Sequence, residues 1–171
     1  FFRNFWDLSI NYITKPSWQH DYFELRTPGR MIRMMPWHYV GLNGSTDSRK
    51  KLYAGIELGM GQTPAFRNAE YINYELTLRF RFNDRLSIEW SGSGNSDNGN
   101  VGYAFRREAN GDPIVCWRDV KQFTTLVSGL YNFTPRMFLT LRARHYWSSV
   151  RYERFYNIDA KGYWIDRPFI D

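Results

Sequence analysis

The feature that most constrains this chain is a two-residue alternation of apolar and polar side chains. Between residues 71 and 82, the apolar set is Ile72, Tyr74, Leu76, Leu78, Phe80 and Phe82. Successive side chains of a β-strand point to opposite faces of a sheet, whereas helical patterns repeat about every 3.6 residues. The alternation recurs at 6–12, 52–60, 86–91 and 137–144. The sequence therefore predicts an all-β protein.

Short and long connections alternate between the predicted strands. Turn-forming Asp, Asn, Pro and Ser residues mark short turns at 46–49, 83–85 and 134–136. Longer loops are predicted near 14–30, 62–70 and 93–100. Short turns on one side and long loops on the other are typical of an antiparallel transmembrane β-barrel.

Strand length separates this barrel from a soluble β-sandwich, whose strands also alternate. Soluble strands cluster at about 5–6 residues, whereas a tilted strand needs about 9–11 to cross the hydrocarbon. The stretches 51–61 and 71–82 have that length. We therefore predict one domain, residues 1–171, that forms part of an antiparallel transmembrane β-barrel and contributes about eight to ten strands to a larger closed sheet.

Six charged residues on the predicted polar side are the candidate site residues, and we expect them to face the barrel lumen. They are Arg79, Arg81, Arg142, Arg144, Glu57 and Glu75. Rings of Arg or Lys in pores favour anions, which suits a chain with 23 Lys+Arg, 17 Asp+Glu and a net charge of +6. Alternatively, the arginines pair with these glutamates and Glu89 and fill a closed lumen. Both interpretations remain open from sequence.

No catalytic, cofactor-binding or metal site is predicted, and the protein is expected not to be an enzyme. The sequence has no Gly-x-Ser-x-Gly, phosphate-binding glycine loop or His-Glu-x-x-His motif. His20, Asp21 and Glu24 are close in sequence, but a divalent metal usually needs three or four converging ligands, so a solvated loop is preferred. Residues 95–100 offer oxygen ligands without EF-hand spacing, and an extracellular loop is preferred there too.

Nucleic acid is not predicted as a partner despite the basic charge and an aromatic content of 19%. A sheet that binds nucleic acid places aromatic rings and basic side chains on the same face. Here the arginines alternate with the apolar residues and therefore belong to the opposite face.

Four stretches, at 21–30, 45–50, 131–134 and 142–147, resemble a family of Gram-negative outer-membrane proteins common in the phylum Bacteroidota. Its members carry an N-terminal domain like carbohydrate-binding family 9, followed by a C-terminal β-barrel of uncharacterised function. The resemblance implies that residues 1–171 are the later part of that barrel. It also implies an outer-membrane location, contact with outer-membrane lipid and lipopolysaccharide, and carbohydrate contact through an N-terminal domain outside this sequence.

The resemblance implies no catalytic residues. Residues 168–171 do not resemble a closing strand that ends in an aromatic residue, so we expect the barrel to close with strands outside this sequence. The function expected is a non-enzymatic channel, transport or surface-assembly component. The alternative is a soluble all-β carbohydrate-binding module whose exposed Trp and Tyr rings stack on sugars. No particular protein partner is indicated.

Overall fold

The computed structural model describes residues 3–65, 69–106 and 112–167, and these residues form ten β-strands. The strands are β1 (Asp7–Lys15), β2 (Gln19–Asp21), β3 (Ile32–Met34), β4 (Trp37–Ser45), β5 (Leu52–Gln62), β6 (Glu70–Arg81), β7 (Leu86–Arg106), β8 (Pro113–Thr134), β9 (Met137–Ile158) and β10 (Trp164–Arg167). Among these described residues, no helix is long and apolar enough to cross a membrane.

Eight strands form one antiparallel sheet in the order β1-β4-β5-β6-β7-β8-β9-β10, and β2 pairs with β3 in a separate hairpin. From β4 onward, each strand pairs with the next one along the chain. The sheet is open, with β1 and β10 at its edges. β10 pairs with only Phe155–Ile158 of β9. The prediction of an antiparallel all-β fold is confirmed. Within the described residues the sheet does not close into a barrel.

The register sorts the side chains of this sheet into two faces, because residues directly opposite on paired strands point the same way. One such row runs from Ile10 through Leu42, Leu58, Tyr74, Gly94 and Phe123 to Trp147. We call this side the apolar face. Its large residues are Leu8, Ile10, Tyr12, Val40, Leu42, Leu52, Ile56, Leu58, Met60, Ile72, Tyr74, Leu76, Leu78, Phe80, Ile88, Trp90, Phe123, Val127, Tyr131, Leu139, Leu141 and Trp147. The opposite side is the polar face.

The apolar face is exposed over seven strands. Ile10 is 73% exposed and Leu141 is 67% exposed, although both are large aliphatic residues. The face ends midway along the three longest strands, β7, β8 and β9, which have 21, 22 and 22 residues. Lys121 of β8 is the next residue after Phe123 on the same face, and it lies opposite Ser149 of β9. Beyond the row that includes Phe123 lie the outer halves of these strands (residues 95–106, 113–122 and 148–158), in which both faces carry polar as well as apolar side chains.

The buried core lies at those outer halves, under the connection between β1 and β4. Leu25 and Ile32 from this connection pack with Val101, Val115 and Ile158. Ile114, Val115 and Cys116 are consecutive and fully buried. Because consecutive strand residues point to opposite faces, β8 is covered on both sides here. The long connection predicted near 14–30 is found between β1 and β4. β1 extends to Lys15, and most of the residues that follow are exposed and irregular apart from the short β2, while Leu25 packs against the sheet.

The prediction of a loop near 93–100 is wrong, because these residues lie within β7. Gly, Asn and Asp have low strand propensity, but this stretch pairs with β6 on one side and β8 on the other. Tertiary pairing overrides local preference in such a strand. The short turns at 46–49, 83–85 and 134–136 are confirmed between β4–β5, β6–β7 and β8–β9. The connection predicted near 62–70 is found between β5 and β6, and its residues 66–68 lie outside the described residues. Residues 168–171, which the sequence predicts not to form a closing strand, also lie outside them.

Candidate binding cleft on the polar face

All six charged residues predicted from the sequence lie on the polar face. Glu57 of β5 stands directly opposite Glu75 of β6. Arg79 is opposite Glu89, and Arg142 and Arg144 of β9 are opposite Ser128 and Leu126 of β8. Arg81, opposite Ser87, lies at the end of β6 next to the short turns. The alternation thus grouped these residues correctly on one face, whereas their orientation toward a lumen stays a prediction.

The arginines and glutamates of this face do not pair with each other. None of the ion pairs among the described residues includes any of the six. Arg79 instead donates from Nη2 to the backbone carbonyl of Ser48 at 2.7 Å, and its guanidinium lies 4.9 Å from the ring centre of Tyr53. Glu75 accepts a hydrogen bond from Thr77. The six charged residues are therefore not neutralised in pairs, and Arg79 binds elsewhere although it stands opposite Glu89.

A positively charged part of the polar face lies at the short turns. Arg81 lines a cavity of ≈ 420 Å³ together with Arg49, Lys51, Arg85 and Asp84. Arg49 also donates to both carboxylate oxygens of Asp47, at 2.9 and 3.0 Å. These hydrogen bonds, from the Arg49 side chain and backbone, lower the pKa of Asp47 to about 2. The turn between β4 and β5 is thus held by a bidentate contact that stays ionised at neutral pH.

A negatively charged part is a cleft of ≈ 580 Å³ at the other end of the polar face. Its walls come from β4, β5, β6 and the middle of β7, and Met34 and Met35 cover one side. The lining residues are Ile13, Met34, Met35, Trp37, Tyr39, Glu57, Gly61, Gln62, Thr63, Ala69, Glu70, Tyr71, Asn73, Asp97, Asn98, Gly99, Asn100 and Val101. We call this cavity the polar-face cleft.

A hydrogen-bond chain fixes the floor of the cleft. The Tyr39 hydroxyl donates to Asn73 Oδ1 at 3.0 Å, and Asn73 Nδ2 donates to Glu57 Oε1 at 3.0 Å. The three side chains come from neighbouring strands β4, β6 and β5. Gly59 lies beneath them, where a Cβ atom would overlap the Tyr39 hydroxyl and the Asn73 side-chain oxygen. The Tyr39 side chain can lie over β5 and reach Asn73 because Gly59 has no side chain.

A β-bulge in β7 shapes the opposite wall. The β7–β8 register shifts between Asp97 and Asn100, where Gly99 has a φ of 71°. Its N–H donates to Asp119 at 3.0 Å. Asn100 Nδ2 donates to Asp97 Oδ2 at 2.7 Å. Burial raises the pKa of the Asp97 carboxyl, with the hydrogen bond from Asn100 acting in the opposite direction. The bulge thus places a desolvated carboxyl at the cleft.

The charge of the cleft is opposite to that of the chain. Glu57, Glu70 and Asp97 line it, and the described lining includes no Lys or Arg. The whole chain has a net charge of +6. The polar-face cleft is therefore a locally negative, partly aromatic cavity in a basic protein.

Sequence reasoning identified only Glu57 among the cleft residues as a site residue. Trp37, Tyr39, Tyr71 and Asn73 carried no motif, and their convergence depends on the register of β4, β5 and β6. One sequence signal could have indicated part of the cleft: Tyr71, Asn73 and Glu75 alternate along β6 and therefore share one face.

Asp21 and Glu24, from the sequence group His20, Asp21 and Glu24, accept backbone hydrogen bonds. Asp21 Oδ1 accepts backbone N–H groups of Phe23 and Glu24 at 2.7 and 2.9 Å. Glu24 Oε1 accepts the backbone N–H of Tyr103 at 2.8 Å. Within residues 3–65, 69–106 and 112–167, no three His, Cys, Asp or Glu residues are grouped as metal ligands would be. The Asp21 contacts therefore order the segment locally, and the Glu24 contact connects it with β7.

These features define an all-β protein with one antiparallel sheet, an exposed apolar face and a cleft on the polar face. Comparison with family profiles identifies the family: the chain belongs to the one described as Domain of unknown function (DUF5916), which matches residues 1–170. Neither a curated protein nor a solved structure matches the chain.

Proposed function

We propose that this chain is part of an outer-membrane β-barrel that acts, without catalysis, as a channel, transport or surface-assembly component of a Gram-negative cell envelope. The observation that carries the proposal is the exposed apolar face. Soluble proteins rarely expose contiguous apolar patches larger than about a few hundred Å². Here the patch extends over seven strands and includes residues as exposed as Ile10 and Leu141.

The height of the apolar face fits a lipid bilayer. β5 and β6 have 11 and 12 residues, close to the about 9–11 that a tilted strand needs to cross the hydrocarbon. On β8 and β9 the face ends at Phe123 and Trp147 and gives way to Lys121 and Ser149. Aromatic residues at such a boundary are typical of the girdles of membrane barrels. Lipid and lipopolysaccharide are the proposed partners of this face.

The unpaired edges favour a larger closed sheet. β1 has a free outer edge within the described residues, and β9 pairs with β10 only beyond Arg154. In lipid, each unsatisfied backbone N–H or C=O group costs several kcal/mol. A sheet at membrane depth therefore needs further strands at both edges, which we expect from outside this sequence.

The polar face would then line the barrel interior, with Arg79, Arg81, Arg142, Arg144, Glu57 and Glu75 exposed to water. Because the described arginines of this set form no ion pairs, we favour a hydrated lumen over one filled by Arg–Glu pairs. Carbohydrate contact remains proposed for an N-terminal domain outside this sequence, and no nucleic-acid partner is proposed.

A soluble all-β carbohydrate-binding module is the second candidate. The aromatic and amide side chains of the polar-face cleft favour it, because sugars stack on aromatic rings and exchange hydrogen bonds with amides. It is the weaker candidate, since it leaves the apolar face in water.

Single-cysteine spin labels on the full-length protein, reconstituted in lipid vesicles, test the membrane proposal. Labels at Leu76 and Leu141 should be accessible to oxygen dissolved in lipid, and labels at neighbouring Thr77 and Arg142 to a water-soluble nickel chelate. The reason is that consecutive strand residues face opposite sides. Equal accessibility of the two sets, or partitioning of the full-length protein into water without detergent, would contradict the proposal.

A pair of arginine substitutions gives an energetic test. Leu141→Arg places a charge on the apolar face and should destabilise the folded protein by about 2–4 kcal/mol if it lies near the bilayer midplane. Thr140→Arg places the same charge on the polar face, opposite Leu130, and should have a much smaller effect. The measurement is reversible urea unfolding in vesicles.

A further inference from the structure

We propose that the polar-face cleft binds an organic cation, a small ligand with a substituted ammonium group and an apolar part. The proposal concerns the cleft itself and does not depend on whether the sheet closes in a membrane. At ≈ 580 Å³, the cavity lies within the roughly 300–1,000 Å³ of small-molecule sites.

The charges of the cleft select for a cation. Glu57, Glu70 and Asp97 come from three different strands and converge on one cavity whose described lining includes no Lys or Arg. Arg118, outside the lining, donates to Asn100 Oδ1 at 2.9 Å and is a described cation bonded to the β7 wall. Asn73 and Asn100 donate hydrogen bonds to Glu57 and Asp97, which orients both carboxylates. An anion placed here would meet like charges in a partly desolvated site, and such repulsion is strong at low dielectric.

The aromatic rings favour an ammonium group over a metal ion. Tyr39 and Tyr71 lie 6.2 Å apart, with their ring planes at 46°, and Trp37 packs edge-on against Tyr39. Ring faces attract ammonium groups, and aromatic cages bind quaternary ammonium ligands in this way. The chain itself shows this attraction at the margin of the cleft, where Lys15 Nζ lies 5.7 Å from the ring centre of Trp37.

The remaining wall is apolar, which indicates substituents on the nitrogen. Met34, Met35, Val101 and Ile13 line the cavity beside the aromatic rings. Thioether side chains adapt to irregular apolar groups. A hydrated metal ion or an unsubstituted ammonium ion would leave this wall without a complement, whereas methyl or alkyl groups on nitrogen would cover it.

The test uses choline and its neutral carbon isostere, 3,3-dimethylbutan-1-ol, which share shape and hydroxyl but differ in charge. Binding to the full-length protein in a neutral detergent is measured by the change in tryptophan fluorescence and by calorimetry. Choline should bind at least about tenfold more tightly than the isostere, the difference expected of a cation on aromatic rings with nearby carboxylates.

Three charge-neutralising variants locate the site. Glu57→Gln and Asp97→Asn should each weaken choline binding by about fivefold or more, because each removes a carboxylate from the cleft. Glu89→Gln is the matched control: it lies on the same polar face, opposite Arg79, and does not line the cleft. It should change the affinity less than about twofold. Heat-modifiability on a gel verifies that all three variants fold.

Tyr71 provides a variant that preserves all charges. Tyr71→Phe keeps the ring face and should retain choline binding, whereas Tyr71→Leu should weaken it. Equal binding of choline and the isostere, absence of choline binding in the folded protein, or equal effects of the three charge variants would overturn the proposal. Maltoheptaose is titrated in parallel, and binding of this sugar in place of choline would assign the cleft to carbohydrate and also overturn it.

Discussion

At the scale of single residues, the side-chain arrangement on the polar face depends on a glycine that leaves space for its neighbours. Gly59 is buried beneath Tyr39, and the ring crosses it to reach Asn73 on β6. The hydrogen-bond chain from Tyr39 to Glu57 therefore requires this glycine for space and not for an unusual backbone angle.

Gly59→Ala tests that requirement. The added methyl group would displace Tyr39 and Asn73, so we expect the variant to lose about 1–3 kcal/mol of stability, the range found for overpacking. Choline affinity should fall with it. Unfolding in urea and fluorescence titration are the measurements.

Gly129→Ala is the control on the same sheet, since no heavy atom lies within 4 Å of a Cβ atom at that position. Alanine replaces glycine there without a clash and should be neutral or stabilising by up to about 1 kcal/mol. Equal losses in the two variants would show that the space above Gly59 is not the cause.

The sequence placed the charged residues on one face because alternation is a local property. Arg79, Arg81, Glu57 and Glu75 required only the period of two and the identity of each strand. The position of Tyr39 above Gly59 depends on the register between β4 and β5, which arises from pairing across the sheet. In a hairpin this register is set by the exact length and type of the turn, and the turn-forming residues at 46–49 locate the turn without giving either one.

At the scale of elements, the outer halves of β7, β8 and β9 form a region with its own core. The segment between β1 and β4 anchors there through Leu25, which is fully buried, and through Arg30, which donates to the Ile158 carbonyl at 2.6 Å. Sequence alternation predicted β7 and β9 only in their inner halves. The outer halves contain polar residues on both faces, so their strand structure comes from pairing and from this packed segment.

Leu25→Ala should release the segment without dissolving the sheet. Removing a buried leucine side chain costs about 2–5 kcal/mol, and we expect that loss to appear as local opening. Hydrogen exchange should accelerate at residues 22–35 and remain slow in β5 and β6. Limited proteolysis should cleave the same segment.

Phe23→Ala is the control, because Phe23 is 89% exposed in the same segment and its removal leaves no cavity. Uniform acceleration of exchange across the sheet in Leu25→Ala would contradict a locally anchored segment.

At the scale of the whole molecule, the polar face is divided by charge. Arg49, Lys51, Arg81 and Arg85 line the cavity at the short turns, whereas Glu57, Glu70 and Asp97 line the cleft without a described Lys or Arg. Composition gave the net charge of +6 but not this division, which follows from the topology that places the ends of β5 and β6 together.

Replacing Arg79, Arg81, Arg142 and Arg144 together by Gln tests the hydrated lumen. Because none of them forms a described ion pair, insertion should remain nearly intact, while any preference for anions should fall. Planar-bilayer conductance of the full-length protein and heat-modifiability on a gel are the measurements.

A double variant, Glu57→Gln with Glu75→Gln, should shift ion preference in the opposite direction. If the fourfold arginine variant fails to assemble and the parent protein shows no conductance, the arginines are structural. The channel proposal would then give way to a plugged scaffold.

The unequal strand lengths also give the sheet a stepped profile. β6 begins at Glu70, opposite Asn98, whereas β7 continues to Arg106, and β8 and β9 rise with it. The sheet therefore has a high wall along β7–β9 and a low threshold along β4–β6. The polar-face cleft lies at the foot of this wall, so a ligand bound there would contact β7 on one side and the ends of β5 and β6 on the other.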